Sequence, residues 1–223
     1  MNIKPTEKSL HLVQGIAQNV PTFHHHYHVL FDIATIFGQN PINYVEIGAY
    51  AGASSCLMLQ RENTNIISID LGHPIDKSDV LENIINYKTN GNNYKYLKGN
   101  SQSLEMQQQV IAELKKHLAT HNDRIDILFI DGDHSREGVI ADFYTYKELV
   151  ASNGYIVFDD YQDAVHSPEV KIAVDEIVNT FITTPLQENK PIEYAIVGCL
   201  PNALGAHPSD LKEGNCFIIK KIR

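Results

Sequence analysis

A chain of 223 residues, 43% hydrophobic and 20% charged, is long enough for one large α/β domain and short for two independent cores. Its 18 basic and 27 acidic residues leave a net charge of -9, which argues against a protein whose main task is gripping phosphate backbones. No apolar run approaches the roughly 20 residues of a bilayer-crossing helix, and Cys56, Cys199 and Cys216 show no CxxC spacing, as expected of reduced thiols in a cytoplasm.

The opening stretch, MNIKPTEKSLHLVQ, reads as a polar start with no secretion signal, because no long apolar segment precedes a small-residue cleavage site. FHHHYHVLFDIATIF then sets Phe23, Tyr27, Leu30, Phe31, Ala34 and Phe37 on one helical face, with Thr22 as a cap. Within it His24 and His28 stand at i and i+4, a spacing that can chelate a metal or touch substrate. A polar helix face or lid is the plainer reading.

From there apolar runs alternate with amphipathic stretches. NYVEI, NIISID, YKYLKG, IDILFID, GYIVFDD, EYAIVGC and CFIIKKI are the strand candidates. The helical stretches lie near residues 52–61, 76–90, 102–119, 136–151 and 168–183. This alternation predicts βαβ units and a Rossmann-like α/β fold: a seven-stranded, mostly parallel sheet with helices on both faces. Only PNALGAHPSDLKEG separates the last two strands, so they are expected to form an antiparallel C-terminal hairpin at the sheet edge. Residues 1–223 are expected to form a single domain, with 1–40 as a helical lid or substrate region and 200–214 as the hairpin loop. A long loop at a sheet edge often covers that edge or reaches a partner, so at least a dimer is expected.

The first strand runs into VEIGAYAGASS, where Gly48 and Gly52 mark a tight turn or a close approach to a ligand. Ligands in such sheets bind beyond the carboxyl ends of the strands, where strand order reverses. The GxxxG spacing fails the dinucleotide pattern GxGxxG, and the GK[ST] of a phosphate loop is missing, which disfavours a nucleotide-dependent oxidoreductase. ISID ends the second strand in Asp70, where a ribose diol could donate two hydrogen bonds. KGNSQS follows the third and offers Ser101 and Gln102 to an adenine edge.

FIDGDH and VFDDY end the fourth and fifth strands, so Asp131, Asp159 and Asp160 should meet at one edge of the sheet. Carboxylates that close repel unless a cation or proton intervenes. Three hard oxygen donors without a cysteine suit magnesium, with calcium or manganese as substitutes. Asp133 should point away from Asp131. Taken singly, each feature has a plainer reading: the glycines as a turn, Asp70 as a solvated strand end, the aspartates as caps, His134 as a helix cap. Their joint placement in strand order favours a site.

In EIGAYAGAS the chain resembles the glycine loop of catechol O-methyltransferase, and in FIDGDHSREGV and IVFDDY it is similar to antibiotic-sugar O-methyltransferases of the macrocin and novobiocin types. This resemblance to class I S-adenosylmethionine-dependent methyltransferases, and within them to the metal-dependent O-methyltransferases, covers roughly Tyr44 to Ile177. It implies Glu46 and Gly48 beside the methionine part of S-adenosyl-L-methionine, with Tyr50 next to it and Ser54 on its carboxylate at a helix N-terminus. It implies Asp70 on the ribose, Ser101 and Gln102 on the adenine, and Asp131 bordering cofactor and metal alike. Asp131, Asp159 and Asp160 would hold Mg2+, which would lower the pKa of an acceptor hydroxyl, and His134 would take its proton. His134 stands where the catechol enzyme has a lysine, and Asp160 where it has an asparagine; both departures resemble the sugar-modifying branch. The expected activity is methylation of a hydroxyl on a small molecule, a sugar or glycosylated metabolite, with no nucleic-acid or membrane partner. The alternatives are a catechol or phenol acceptor, or a non-catalytic cofactor-binding assembly module.

Overall fold

In β1 (Ile42–Ile47) and β4 (Ile125–Ile130) every residue is buried, as strands covered on both faces must be. The computed structural model describes residues 6–20, 27–75, 77–88, 91–117, 122–200 and 216–223. Around these two strands lie β2 (Thr64–Asp70), β3 (Asn93–Lys98), β5 (Val150–Phe158), β6 (Tyr194–Leu200) and β7 (Cys216–Lys221). They form one seven-stranded sheet in the order β3-β2-β1-β4-β5-β7-β6. β1 to β5 run parallel, and β7 is antiparallel to both β5 and β6. The expected hairpin is present, with β7 slotted inward and β6 outermost. Residues 201–215, which hold most of its expected loop, lie outside the described residues.

The helices are α1 (Glu7–Ala17), α2 (His28–Thr35), α3 (Ala53–Met58), α4 (Lys77–Tyr87), α5 (Leu104–Lys116), α6 (Arg136–Tyr146), α7 (Pro168–Val178) and the short α8 (Thr184–Gln187). Alternate side chains of a strand point to opposite faces, and two cores result. Tyr44, Ile66, Ile127 and Phe129 pack with Val13, Leu30, Leu57 and Val80 from α1 to α4. Val45, Ile67, Leu128 and Ile156 pack with Val110, Phe143 and Val174 from α5 to α7. Each fully buried aliphatic or phenyl side chain contributes about 1.5–3 kcal/mol, so the two layers fix the sheet from both sides. Among the described residues no helix is long and apolar enough to cross a membrane.

Local chemistry sets the helix starts. Ser103 and Ser135 accept from the amides of Met106 and Gly138, capping α5 and α6. The stretch taken as a polar start is a helix instead: Thr6 and Ser9 form a capping box, and α1 buries Val13 and Ile16. α2 begins only after Tyr27, and the expected Thr22 cap, Phe23 and His24 lie outside the described residues. β5 starts at Val150, four residues ahead of GYIVFDD, because a register shift beside Ile125 and Ile127 absorbs the polar residues between.

Candidate active site

Strand order reverses between β1 and β4, and a cavity of about 640 Å³ opens over the carboxyl ends of the strands there. The glycine loop forms one wall. Gly48 has φ +89°, and a Cβ on it would lie 1.9 Å from the carbonyl oxygen of Asp131. The glycine is therefore required by the approach of two protein backbones at the strand reversal, as well as by its own left-handed conformation. Gly52, φ +80°, turns the chain into α3. Between them Tyr50 holds φ +43° without being glycine, a strained conformation of the kind that persists where surrounding structure enforces it.

Asp70 enforces it. Its Oδ2 accepts the amides of Ala49 and Tyr50 at 2.9 Å each, and its Oδ1 accepts that of Gly72 at 2.6 Å. A carboxylate offers about four lone-pair sites, so Asp70 closes the loop and keeps room for further donors on the cavity side. Gly48, Tyr50 and Asp70 all line the cavity.

Glu46 and Ser54 do not line it, a correction to their expected place beside the methionine moiety. Glu46 shares the face of Tyr44, two residues away, so its carboxylate turns beneath α3 rather than outward. There it accepts four hydroxyls: Tyr44 at 2.9 Å, Ser54 and Ser55 at 2.5 Å, and Ser68 at 2.6 Å. Burial pushes its carboxyl up, and those hydroxyls work against that shift. Ser54 is committed to this buried cluster.

On the opposite wall stand Ser101 and Gln102. Ser101 donates its hydroxyl to Asp142 Oδ1 at 2.6 Å, and the Tyr146 hydroxyl donates to the Ser101 carbonyl at 2.7 Å. The Gln102 amide reaches the Gly138 carbonyl at 3.5 Å.

At the floor, donor atoms of Asp131, His134 and Asp160 all lie within 4.8 Å of one another. His134 Nε2 is 3.2 Å from Asp131 Oδ1. Its Nδ1 is 2.7 Å from the hydroxyl of Ser167, which donates at 2.9 Å to Asp160 Oδ2. Tyr27 donates to Asp131 Oδ2 at 3.2 Å. Asp160 turns with φ +54°, a conformation aspartate tolerates better than most residues. The tightest grouping thus contains His134 where Asp159 was expected. Asp159 lines the cavity but is 3% exposed, and the Cys216 thiol contacts its Oδ1 at 3.3 Å. Asp133, expected to point away from Asp131, lines the same cavity and accepts the Ser135 amide, outside the tight grouping.

The electrostatics are those of a site short of positive charge. Burial first, then the neighbouring Asp159 and Asp160, push the Asp131 carboxyl up. The hydrogen bond to Asp131, against the opposing effect of burial, raises the His134 imidazole to about 9. Tyr27, Ser167 and Asp142 carried no motif; nothing in the local pattern marks them, and only the fold brings them here. His28 lies elsewhere, buried against Asp32 at 3.1 Å in a network with Thr6 and Ser9 that ties α2 to α1, so it presents no polar face.

Known proteins share this architecture. The model of a family described as a methyltransferase domain matches residues 45–161, from β1 to just past the paired aspartates. An uncharacterized protein of Acanthamoeba polyphaga mimivirus is 37% identical over 209 residues, 90% of this chain and 89% of its own. The O-methyltransferase from Bacillus cereus, solved with SAH, superposes with TM-score 0.57 at 16% identity, covering 97% of this chain and 92% of its own. The MycE methyltransferase of mycinamycin biosynthesis, solved with Mg, SAH and mycinamycin VI, gives 0.59 at 15% identity over 96% of this chain and 54% of its own. At such identities the two solved structures speak to the fold.

Proposed function

Because this chain belongs to the methyltransferase-domain family and has the class I S-adenosylmethionine-dependent fold, we propose that it methylates a hydroxyl of a small molecule, a sugar or glycosylated metabolite, with a divalent cation. The observation that carries this reading is the convergence of Asp131, His134 and Asp160 on the same cavity as the glycine loop and Asp70. The MycE complex, with Mg, SAH and a mycinamycin together, is a precedent on this fold.

The residues fit both groups. Asp70, Asp131, Asp133, Asp159 and Asp160 make the cavity wall acidic, which suits a sulfonium. The carboxyl of Asp131, driven up by burial and by its acidic neighbours, marks a charge imbalance that a cation would correct. Carboxylate oxygens suit magnesium or manganese, and an imidazole among the ligands would shift the preference away from magnesium toward a transition metal. S-adenosyl-L-methionine supplies the electrophilic methyl group. A bound divalent cation would lower the pKa of the acceptor hydroxyl and orient its oxygen.

The chain's own residues do the rest. Asp70 fixes the glycine loop and faces the ribose, with Tyr50 at the methionine end and Ser101 and Gln102 at the adenine. Asp131 and Asp160 would hold the cation, with Asp159 on the same cavity wall. Ser167 donates to Asp160 and so accepts from His134 Nδ1; Nε2, which donates to Asp131 in the cation-free site, would be freed to take the acceptor's proton once that carboxylate is neutralised by a cation. A second reading follows from the tight grouping itself: His134 ligates the cation in place of Asp159. The two separate on His134→Ala. A base lost from its position lowers turnover roughly 100- to 10,000-fold with cation affinity kept, whereas a ligand lost lowers both.

Methyl transfer to a panel of sugars, glycosides and phenols, assayed with and without chelator, tests the reading. Turnover on a glycoside or sugar hydroxyl is expected, abolished by chelator and restored by Mg2+. Asp160→Asn should weaken cation affinity and leave SAH affinity nearly unchanged. A rate unaltered after the metal is verifiably gone would make the aspartates structural, and SAH binding without turnover on any acceptor would favour an assembly module.

A further inference from the structure

Asp142 lies on α6, 1% exposed, outside the acidic grouping, and takes no part in the chemistry above. Its Oδ1 accepts the Ser101 hydroxyl at 2.6 Å, while its Oδ2 is buried with no hydrogen-bond partner among the described residues. A carboxylate buried in this way is costly, and its one well-formed bond goes to a side chain on the cavity wall. Ser101 is held from behind as well, through the Tyr146 hydroxyl on its carbonyl.

A serine hydroxyl has one proton, and an ionised carboxylate can only accept. Burial, reinforced by the charge of Asp133 and opposed by the Ser101 hydroxyl and the Gln102 amide, pushes the Asp142 carboxyl up to about 6, so it is ionised at neutral pH. The proton of Ser101 therefore belongs to Asp142, and the cavity meets the hydroxyl's lone pairs. Gln102 turns its amide nitrogen toward the Gly138 carbonyl and Asp142, so its oxygen is the atom left for the cavity and it shares that acceptor polarity.

We propose that Asp142 is a positioning residue that makes Ser101 a hydrogen-bond acceptor and so makes the base subsite select a 6-amino purine over a 6-oxo purine. The role rests on the adenine lying at Ser101 and Gln102, as in the reading above. The exocyclic amino group of adenine donates to Ser101, whereas the carbonyl of hypoxanthine sets one acceptor against another. A site built to satisfy one polarity rejects the reverse because its buried group is then left unpaired.

Calorimetry with S-adenosylhomocysteine and S-inosylhomocysteine tests this on the wild type, Asp142→Asn, Ser101→Ala and the double variant. The wild type should prefer the adenosyl ligand roughly ten- to hundredfold. Asp142→Asn, whose amide can donate to Ser101 and turn the hydroxyl outward, should lose most of that preference. Ser101→Ala should lose it too, with no further change from the second substitution. Equal weakening of both ligands in Asp142→Asn, with the ratio intact, would overturn the proposal. So would a full preference retained in Ser101→Ala, which decides the matter if Asp142→Asn does not fold. A wild type that binds the adenosyl ligand without preferring it overturns this role alone, and one that binds neither overturns the cofactor reading with it.

Discussion

His134 shows how a single residue's chemistry depends on its company. With Asp131 against one nitrogen and Asp160 and Asp159 nearby, the fold favours the imidazolium and moves its pKa from 6.5 to about 9. A group that binds its proton more tightly when folded stabilises the protein fully below its unfolded pKa, and that contribution is lost as pH rises through the folded one. The Asp131 carboxyl is shifted the same way, so the native state is increasingly disfavoured once pH climbs past its ordinary acidic range. Cation-free protein should therefore lose thermal stability between about pH 6.5 and pH 9. Mg2+ should raise the melting temperature most at the alkaline end, where the carboxylates are ionised and the imidazolium no longer offsets them. Melting curves across that range check this; a Mg2+ effect that is absent, or largest at acidic pH, would contradict it. The aspartates were legible because each ends an apolar strand. Ser167 was not, because it stands 33 positions along the chain from His134.

At the level of elements, the alternation of apolar runs with amphipathic stretches revealed β1 to β7 because each strand keeps a short apolar run, even where β1 buries Asn43 and Glu46 and β3 is partly exposed. α1 was missed: Val13 and Ile16 are a thin stripe in a charged segment, and its cap, Thr6 with Ser9, is a weak signal alone. Glu46 and Ser54 were misplaced for a different reason. A family motif names the residues near a ligand, whereas the side-chain alternation of β1 turns Glu46 toward Tyr44 and α3. Ser54→Ala should thus leave SAH affinity within about threefold while costing roughly 1–2 kcal/mol of stability, since it removes one of the four donors on a buried carboxylate. A large loss of affinity at unchanged stability would return Ser54 to the cofactor. Gly48→Ala should be worse for the fold, about 2–4 kcal/mol by denaturant titration, because the new Cβ must push the β1 and β4 exits apart at a positive φ. A neutral effect would mean that the junction gives way freely.

For the whole molecule, the sheet order explains why one cavity collects residues from such distant parts of the chain. β2 and β3 are added on one side of β1 and β4 and β5 on the other, so the loops after these strands diverge from the reversal and leave a cleft between them. Asp70 and Ser101 come from one side, Asp131, Asp159 and Asp160 from the other, and Tyr27 arrives from ahead of the sheet. A cofactor with a ribose, a base and a sulfonium methyl can span that cleft with each part against a matching wall. Titration of the folded wild-type protein with S-adenosylhomocysteine measures this directly. The account predicts saturable binding at one site per chain, weakened little by Asp160→Asn; no heat of binding at high micromolar ligand, with the protein verified as folded, would contradict it.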